Sequence, residues 1–153
     1  EEFSGWAERG QRIKDELLRL VDADTLAFDR VMTALAMPKA TDAEKAARAA
    51  ALETANRGAL EVPWQVMQVV AGTFDLLAAM ALQGNPASAS DAGVGALCAR
   101  AAIRGAWLNV LTNAGGIKDR AGVERILAEG RKLEAAAAAR EVEILAVVEG
   151  KFA

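Results

Sequence analysis

One acidic side chain, Asp24, lies where helical periodicity predicts buried apolar surface. The apolar stripe of the first predicted helix passes through Leu17, Leu20 or Val21, Phe28 and Val31, and position 24 falls within it. A buried carboxylate is costly unless it is paired, hydrogen-bonded or protonated. Asp24 is therefore a candidate catalytic acid or base, or a ligand for a polar group of a substrate. The alternatives are a salt-bridged core residue or a carboxylate that faces solvent at a helix bend.

A second set of polar side chains belongs to one face of a later predicted helix, which is rich in small residues. Intervals of three and four residues place the whole set on that face: Asp91, Gly95, Cys98, Ala102, Gly105, Asn109 and Asn113. The pattern predicts a narrow groove for a flat ligand or a partner helix. A close helix–helix contact, in which the two asparagines bind neighbouring backbone, explains it as well. Cys98 is expected to be a small buried residue.

Three further candidates lie in the connections between helices. Lys39 follows Pro38, where an ammonium group could face a cleft, although a solvated lysine is the simpler interpretation. Gly84-Asn85-Pro86 predicts a turn. Ser90 is a suitable N-cap for the helix that follows, and Asp91 in the first turn complements the helix dipole.

Four long helices must position these side chains. Periodicity, capping residues and prolines place them at residues 6–35, 41–83, 90–113 and 119–152. Thr41 and Glu44 form a capping-box sequence, and Pro63 is expected to kink or split the second helix near Glu61. Short connections predict an all-α, antiparallel up-and-down bundle. Faces rich in Ala and Gly predict close packing shared with a second subunit, and hence a homodimer or larger homo-oligomer.

Composition limits the chemistry that is available. The 153 residues fit one domain, 1–153, of which 53% are hydrophobic and 5% aromatic. With no His and one Cys, the chain has no imidazole base and no internal disulfide, and a zinc site is not expected. The net charge of −3, without a basic stripe, argues against nucleic acid. No apolar run reaches the roughly 18 residues of a membrane span, and the single thiol fits a cytoplasmic location.

An ordered set of short motifs, spread over nearly the whole chain, resembles the cyclodeaminase family. The resemblance includes the cyclodeaminase part of bifunctional glutamate formimidoyltransferase/cyclodeaminases. Each motif is weak alone, and their order and spacing carry the resemblance: Val21-Asp22-Ala23-Asp24, Met37-Pro38-Lys39, Glu44-Lys45-Ala46-Ala47-Arg48, Val62-Pro63, Gly84-Asn85-Pro86, Ser90-Asp91-Ala92-Gly93-Val94 and Asn109-Val110.

The resemblance implies an all-helical, dimeric enzyme that binds a tetrahydrofolate derivative, including polyglutamylated forms, without a metal or redox cofactor. Cyclodeaminases are ammonia-lyases that convert 5-formimidoyltetrahydrofolate to 5,10-methenyltetrahydrofolate and ammonia in histidine degradation. Methenyltetrahydrofolate cyclohydrolase is the alternative activity, and a non-catalytic helical oligomerisation module is a further one. The resemblance supports Asp24, Lys39, Asn85 and Asp91 as site residues and does not assign their individual roles. Our candidate catalytic residues are Asp24, Lys39 and Asp91, and our candidate substrate-binding residues are Asn85, Ser90, Asn109 and Asn113.

One part of the family pattern is not in this sequence. Family members carry an N-terminal helical segment with a Pro-Gly-Gly-Gly-Ser-type loop before the residues that open this chain. A glycine-rich loop offers backbone donors to a ligand. We therefore expect the cyclodeaminase-like domain of residues 1–153 to be N-terminally incomplete.

Overall fold

The computed structural model describes residues 2–152, and within that range every long element is a helix. Two short 3-10 segments, Pro86–Ser88 and Ala114–Gly116, connect the later helices. The described residues contain no strand, which confirms the all-α prediction. The five α-helices are α1 Glu2–Ala36, α2 Asp42–Ala71, α3 Thr73–Gln83, α4 Ala89–Asn113 and α5 Arg120–Gly150.

The start of α2 has the predicted capping box. The Thr41 hydroxyl accepts from the Glu44 N–H at 3.2 Å, and the Glu44 carboxylate accepts from the Thr41 N–H at 2.8 Å. The backbone N–H groups of Thr41 and Ala40 hold the pKa of Glu44 below its ordinary value of 4.5. The Glu44 carboxylate therefore stabilises the start of α2 fully at pH values above its ordinary pKa. This stabilisation is lost as the pH falls through the lowered pKa of Glu44. Asp119 likewise caps α5, accepting from the Gly122 N–H at 3.1 Å.

The predicted break near Glu61 is wrong, because α2 continues through Pro63. Pro63 has no N–H, so the carbonyl of Ala59, four residues earlier, lacks its usual helical donor. The side chain of Asn113 supplies the missing bond, since its Nδ2 lies 2.7 Å from the Ala59 oxygen. A distant polar side chain thus repairs the helix at the point where proline would otherwise leave a carbonyl unpaired.

The interruption comes at Gly72, which separates α2 from α3. The Gly72 N–H donates to Val69 O at 3.1 Å, and the Thr73 hydroxyl donates to Val70 O at 2.7 Å, so the end of α2 is satisfied locally. Arg9 of α1 donates to the Gly72 carbonyl at 2.9 Å. These contacts fix the break and hold the start of α1 beside it.

The predicted start of α4 also needs correction. Ser88, not Ser90, occupies the N-cap position, and Ser90 lies inside the first turn with its side chain exposed. The preceding 3-10 turn explains the shift, because Asn85 caps it by accepting from the Ala87 N–H at 3.0 Å. Asp91 lies in the first turn of α4 as predicted. The first and last helices differ from the predicted ranges only at their ends, since α1 starts at Glu2 and α5 ends at Gly150.

Neighbouring long helices run antiparallel, as predicted. Arg48 near the start of α2 donates to Leu35 O near the end of α1, and Asn113 at the end of α4 reaches Ala59 in α2. The main core lies between α2, α3, α4 and α5: Leu60, Met67, Phe74, Ile103, Trp107, Val110 and Ile144 are among its buried side chains. The face of α1 that packs on α2 contributes Leu20 and Ala27 to a smaller cluster with Val62.

Two helical stretches, Asp42–Gln83 and Pro86–Gly116, are long and apolar enough to span a membrane by length and composition, and 18-residue windows within them have mean hydropathies of 1.5 and 1.2. By this measure, the prediction that no apolar run is long enough to span a membrane is wrong. Core helices of soluble proteins pass the same test, and these stretches contribute most of the main core.

Tight packing of α5 against α4 makes Gly130 sensitive to substitution. A Cβ at Gly130 would lie 2.5 Å from Cζ3 of Trp107, whereas a Cβ at Gly105 of α4 would meet nothing within 4 Å. Both glycines are helical and gain the same propensity from alanine. Gly130→Ala is therefore expected to be about 1–3 kcal/mol less stable than Gly105→Ala in urea unfolding. Equal stabilities would show that the Trp107 ring moves aside freely.

Candidate active site

Two cavities are lined by residues of both α1 and α4, which pack against α2. The first is an apolar cavity of about 510 Å³, which we call the apolar groove. Cys98 is exposed there, so the prediction that it is buried is wrong. The apolar groove is lined by residues that include Ile13, Leu17, Val21, Leu77 and Ala102.

Further along α1 and α4 the lining becomes polar. A second cavity, of about 300 Å³, lies between α1, α2 and α4, and we call it the Asp24 cleft. It brings Asp24 together with Asn109 and Asn113, three residues that the sequence analysis selected from separate motifs. Of the four asparagines in the chain, three line this cleft. The complete lining is Asp24, Ala27, Phe28, Val31, Asn56, Ala59, Asn109 and Asn113.

Asp24 is exposed, and the prediction that it is buried is wrong. The stripe of α1 that packs on α2 runs through Leu20, Ala27 and Ala34, which are 1%, 3% and 3% exposed. Val21 and Phe28, which periodicity placed in the buried stripe, are 63% and 62% exposed. The packed face of α1 is therefore narrower and rotated, and Asp24 lies at its edge, open to the cleft. Within residues 2–152 its carboxylate has no salt-bridge partner.

Two carboxamides of the cleft are held by backbone carbonyls. Asn113 Nδ2 donates to Ala59 O at 2.7 Å, and Asn56 Nδ2 donates to Gly116 O at 3.4 Å. Each bond uses one of the two amide N–H groups, so the Oδ1 atom and the second N–H of each side chain are left for a ligand. Asn56 was missed by the sequence analysis. The available signal was an asparagine in a helix interior, where this residue is unfavourable.

The Asn85 and Asp91 side chains lie in a different cavity. This cleft, of about 260 Å³, is lined by Asn85, Ser88 and Asp91 together with Leu77, Met80, Gly84 and Ala92. Ser90 is not part of its lining. Asp91 and Asn109 are about 27 Å apart along α4, given the 1.5 Å rise per helical residue. One protomer therefore does not bring Asp24 and Asp91 onto the same small group of a substrate.

Lys39 lies apart from both clefts. It is exposed in the connection between α1 and α2 and lines neither of them. Two arginines of α4 already form ion pairs. Arg100 contacts the Glu134 carboxylate at 2.7 Å, and Arg104 contacts it at 3.4 Å. Among the described residues, no group of three or more Cys, Asp and Glu side chains is placed to hold a metal ion.

These features define an all-helical domain with a carboxylate and three carboxamides collected in one interhelical cleft. The family model described as formiminotransferase-cyclodeaminase matches residues 1–132. The chain belongs to this family, as the sequence motifs indicated.

Individual relatives divide between two activities. Methenyltetrahydrofolate cyclohydrolase of Methylorubrum extorquens is 41% identical over 144 residues, which cover 94% of this chain and 69% of that protein. Formimidoyltransferase-cyclodeaminase of Gallus gallus is 39% identical over 105 residues, which cover 69% of this chain and 19% of that protein. The chain thus corresponds to a small part of the bifunctional relative.

The fold also matches a solved structure. Formiminotetrahydrofolate cyclodeaminase of Thermotoga maritima superposes with a TM-score of 0.79 at 26% identity. The match covers 92% of this chain and 66% of that one. The helical arrangement is therefore that of a cyclodeaminase.

Proposed function

We propose that this chain is a formimidoyltetrahydrofolate cyclodeaminase domain, an ammonia-lyase that forms 5,10-methenyltetrahydrofolate from 5-formimidoyltetrahydrofolate. The observation that carries the proposal is the convergence of Asp24, Asn109 and Asn113 on one cleft in a chain of this family. As part of the same proposal, the reaction belongs to histidine degradation, takes place in the cytoplasm and uses no metal or redox cofactor.

The reaction is an intramolecular substitution. N10 of the substrate attacks the carbon of the protonated formimidoyl group on N5, and a new C–N10 bond forms. The bond from that carbon to the amino nitrogen breaks, and the N10 proton leaves with it as ammonia. The methenyl product keeps the single positive charge. The protein's main task is to hold N10 against the carbon, because orientation of this kind supplies much of a cyclisation's rate.

Asp24 is the acidic side chain that we assign to the substrate cleft. It can hold the substrate by accepting its N–H groups, or face the positive charge that substrate and product carry. We assign Lys39, which lies outside the clefts, to the carboxylates of the glutamate tail. Asp91, Asn85 and Ser90 remain predicted site residues, and they reach a substrate in the Asp24 cleft only from a second protomer.

The activity is tested by presenting both substrates to the purified protein. We expect ammonia and methenyltetrahydrofolate to appear in equal amounts from 5-formimidoyltetrahydrofolate. The alternative, a cyclohydrolase, is favoured by the 41% identical Methylorubrum protein. Hydrolysis of 5,10-methenyltetrahydrofolate without ammonia release from the first substrate would establish it instead. A folded protein that binds no reduced folate would support the other alternative, a non-catalytic oligomerisation module.

We also propose that the protein is a homodimer whose interface covers the apolar groove. Leu18 and Val21 line the groove and are 60% and 63% exposed. Val94 and Leu97, which adjoin the lining residues Gly95 and Cys98 in α4, are 58% and 46% exposed. A contiguous apolar surface of this kind is typical of an interface.

Light scattering is expected to give a mass near twice the 16.0 kDa of the chain. Ala102 lines the groove, and Ala102→Glu is expected to weaken the dimer at least 100-fold because it buries a charge in a mainly apolar interface. The matched change Ala101→Glu, at an exposed neighbour that does not line the groove, should leave it intact. A monomeric wild type would contradict the proposal.

A further inference from the structure

We propose that the Asp24 cleft binds the pyrimidine edge of the substrate's pterin ring. In this arrangement the Asp24 carboxylate accepts from the N3–H and 2-amino groups. The inference rests on the proposed folate substrate and adds which end of it enters the cleft. It makes Asp24 a residue that grips the substrate at the edge opposite the reacting nitrogens.

The polar groups of the cleft offer more acceptor positions than N–H donors. Asp24 contributes a carboxylate, which only accepts. Asn113 and Asn56 each donate one amide N–H to the carbonyls of Ala59 and Gly116, at 2.7 and 3.4 Å, which leaves the oxygen and one N–H of each for the ligand. A ligand edge that fits this lining carries several N–H donors. The 2-amino and N3–H groups of a pterin lie side by side and match the two oxygens of a carboxylate, as the donors of a guanidinium do.

The charge of the cleft selects between the two ends of a folate. None of the described residues that line it is Lys or Arg, and Asp24 contributes one negative charge. The glutamate tail ends in carboxylates, which Asp24 would repel without a compensating cation. The pterin head is uncharged at this edge and rich in donors. The cleft therefore accepts the head and leaves the tail outside.

Size and apolar lining lead to the same assignment. The cleft volume of about 300 Å³ is at the small end of the range for ligand pockets, so it suits a bicyclic head better than a complete folate. Phe28 is 62% exposed and lines the cleft beside Ala27 and Val31. An exposed aromatic ring gives a flat ligand a surface for stacking.

The test compares two stable ligands by calorimetry: 5-formyltetrahydrofolate and its 2-desamino-2-methyl analogue, which lacks the donor group that Asp24 would bind. The wild type is expected to bind the analogue at least 10-fold more weakly. Asp24→Asn is expected to bind 5-formyltetrahydrofolate at least 10-fold more weakly than the wild type and to lose most of the discrimination between the ligands. Asp22→Asn, an exposed neighbour outside the cleft lining, should retain the full discrimination.

Each other outcome has a definite meaning. A wild type that binds both ligands equally would overturn the edge assignment while leaving the proposed function standing. Discrimination that survives in Asp24→Asn would move the pterin edge to another residue and also overturn it. A wild type that binds neither ligand would overturn the folate function itself, together with this inference.

Discussion

Replacing Asp24 with asparagine is expected to lower kcat/KM for the cyclisation of 5-formimidoyltetrahydrofolate by about 100-fold, which corresponds to about 2.7 kcal/mol of transition-state stabilisation. The substitution keeps the size of the side chain and removes its charge. It also places an amide N–H where the cleft otherwise offers acceptors to the substrate. Hydrogen bonds to a charged group contribute about 1.5–3 kcal/mol. Asparagine loses one of the two bonds and leaves the other without its charge, which accounts for an effect of this size.

The same substitution should leave the thermal unfolding of the protein almost unchanged. Asp24 is exposed and has no salt-bridge partner within residues 2–152, so its charge does not support the fold. The activity loss can thus be separated from unfolding by measuring the helical circular dichroism of the same samples. Asp22→Asn is the control, with near wild-type turnover. Full turnover by Asp24→Asn would remove Asp24 from the site.

Replacing Asn113 with leucine is expected to destabilise the protein by about 1–3 kcal/mol and to lower kcat/KM about 10-fold. The stability loss arises because the Ala59 carbonyl loses its donor, and an unpaired, partly buried carbonyl costs this amount. Pro63 cannot supply a replacement because it has no N–H. The activity loss arises because the Asn113 oxygen no longer lines the Asp24 cleft.

A double-mutant cycle with Pro63→Ala isolates this mechanism. Alanine at position 63 restores the backbone N–H that the Ala59 carbonyl lacks, so Asn113→Leu should cost less than half as much stability in that background. Urea unfolding of the four proteins gives the coupling free energy. If Asn113→Leu costs the same in the wild type and in the Pro63→Ala variant, the bond from Asn113 to Ala59 O does not stabilise α2.

Local rules predicted much of the fold from the sequence. Capping residues and prolines act on neighbouring residues, so the starts at Thr41 and Asp119 and the end near Pro38 could be predicted. The continuation of α2 through Pro63 could not, because the compensating donor, Asn113, lies far away in the chain. Ser90 was a suitable N-cap by type, but the 3-10 turn capped by Asn85 moved the helix start to Ala89.

The candidate site was predictable in its residue types and less so in its grouping. Periodicity identified Asp24 as unusual and placed Asn109 and Asn113 on one face. It could not show that α1 packs only through a narrow stripe at Leu20 and Ala27, which leaves Asp24 accessible. Nor could it show that Asp91 and Asp24 line different clefts, because spacing within a helix does not determine which parts of different helices lie together.

The central claim is that a reduced folate binds in the Asp24 cleft, and the four asparagines of the chain make it directly measurable. Protein labelled with ¹⁵N only at asparagine gives side-chain amide signals from Asn56, Asn109 and Asn113 in the cleft and from Asn85 outside it. Titration with 5-formyltetrahydrofolate is predicted to shift the three cleft signals together and saturably. Shifts confined to Asn85, or no saturable shift at any of the four, would contradict the account.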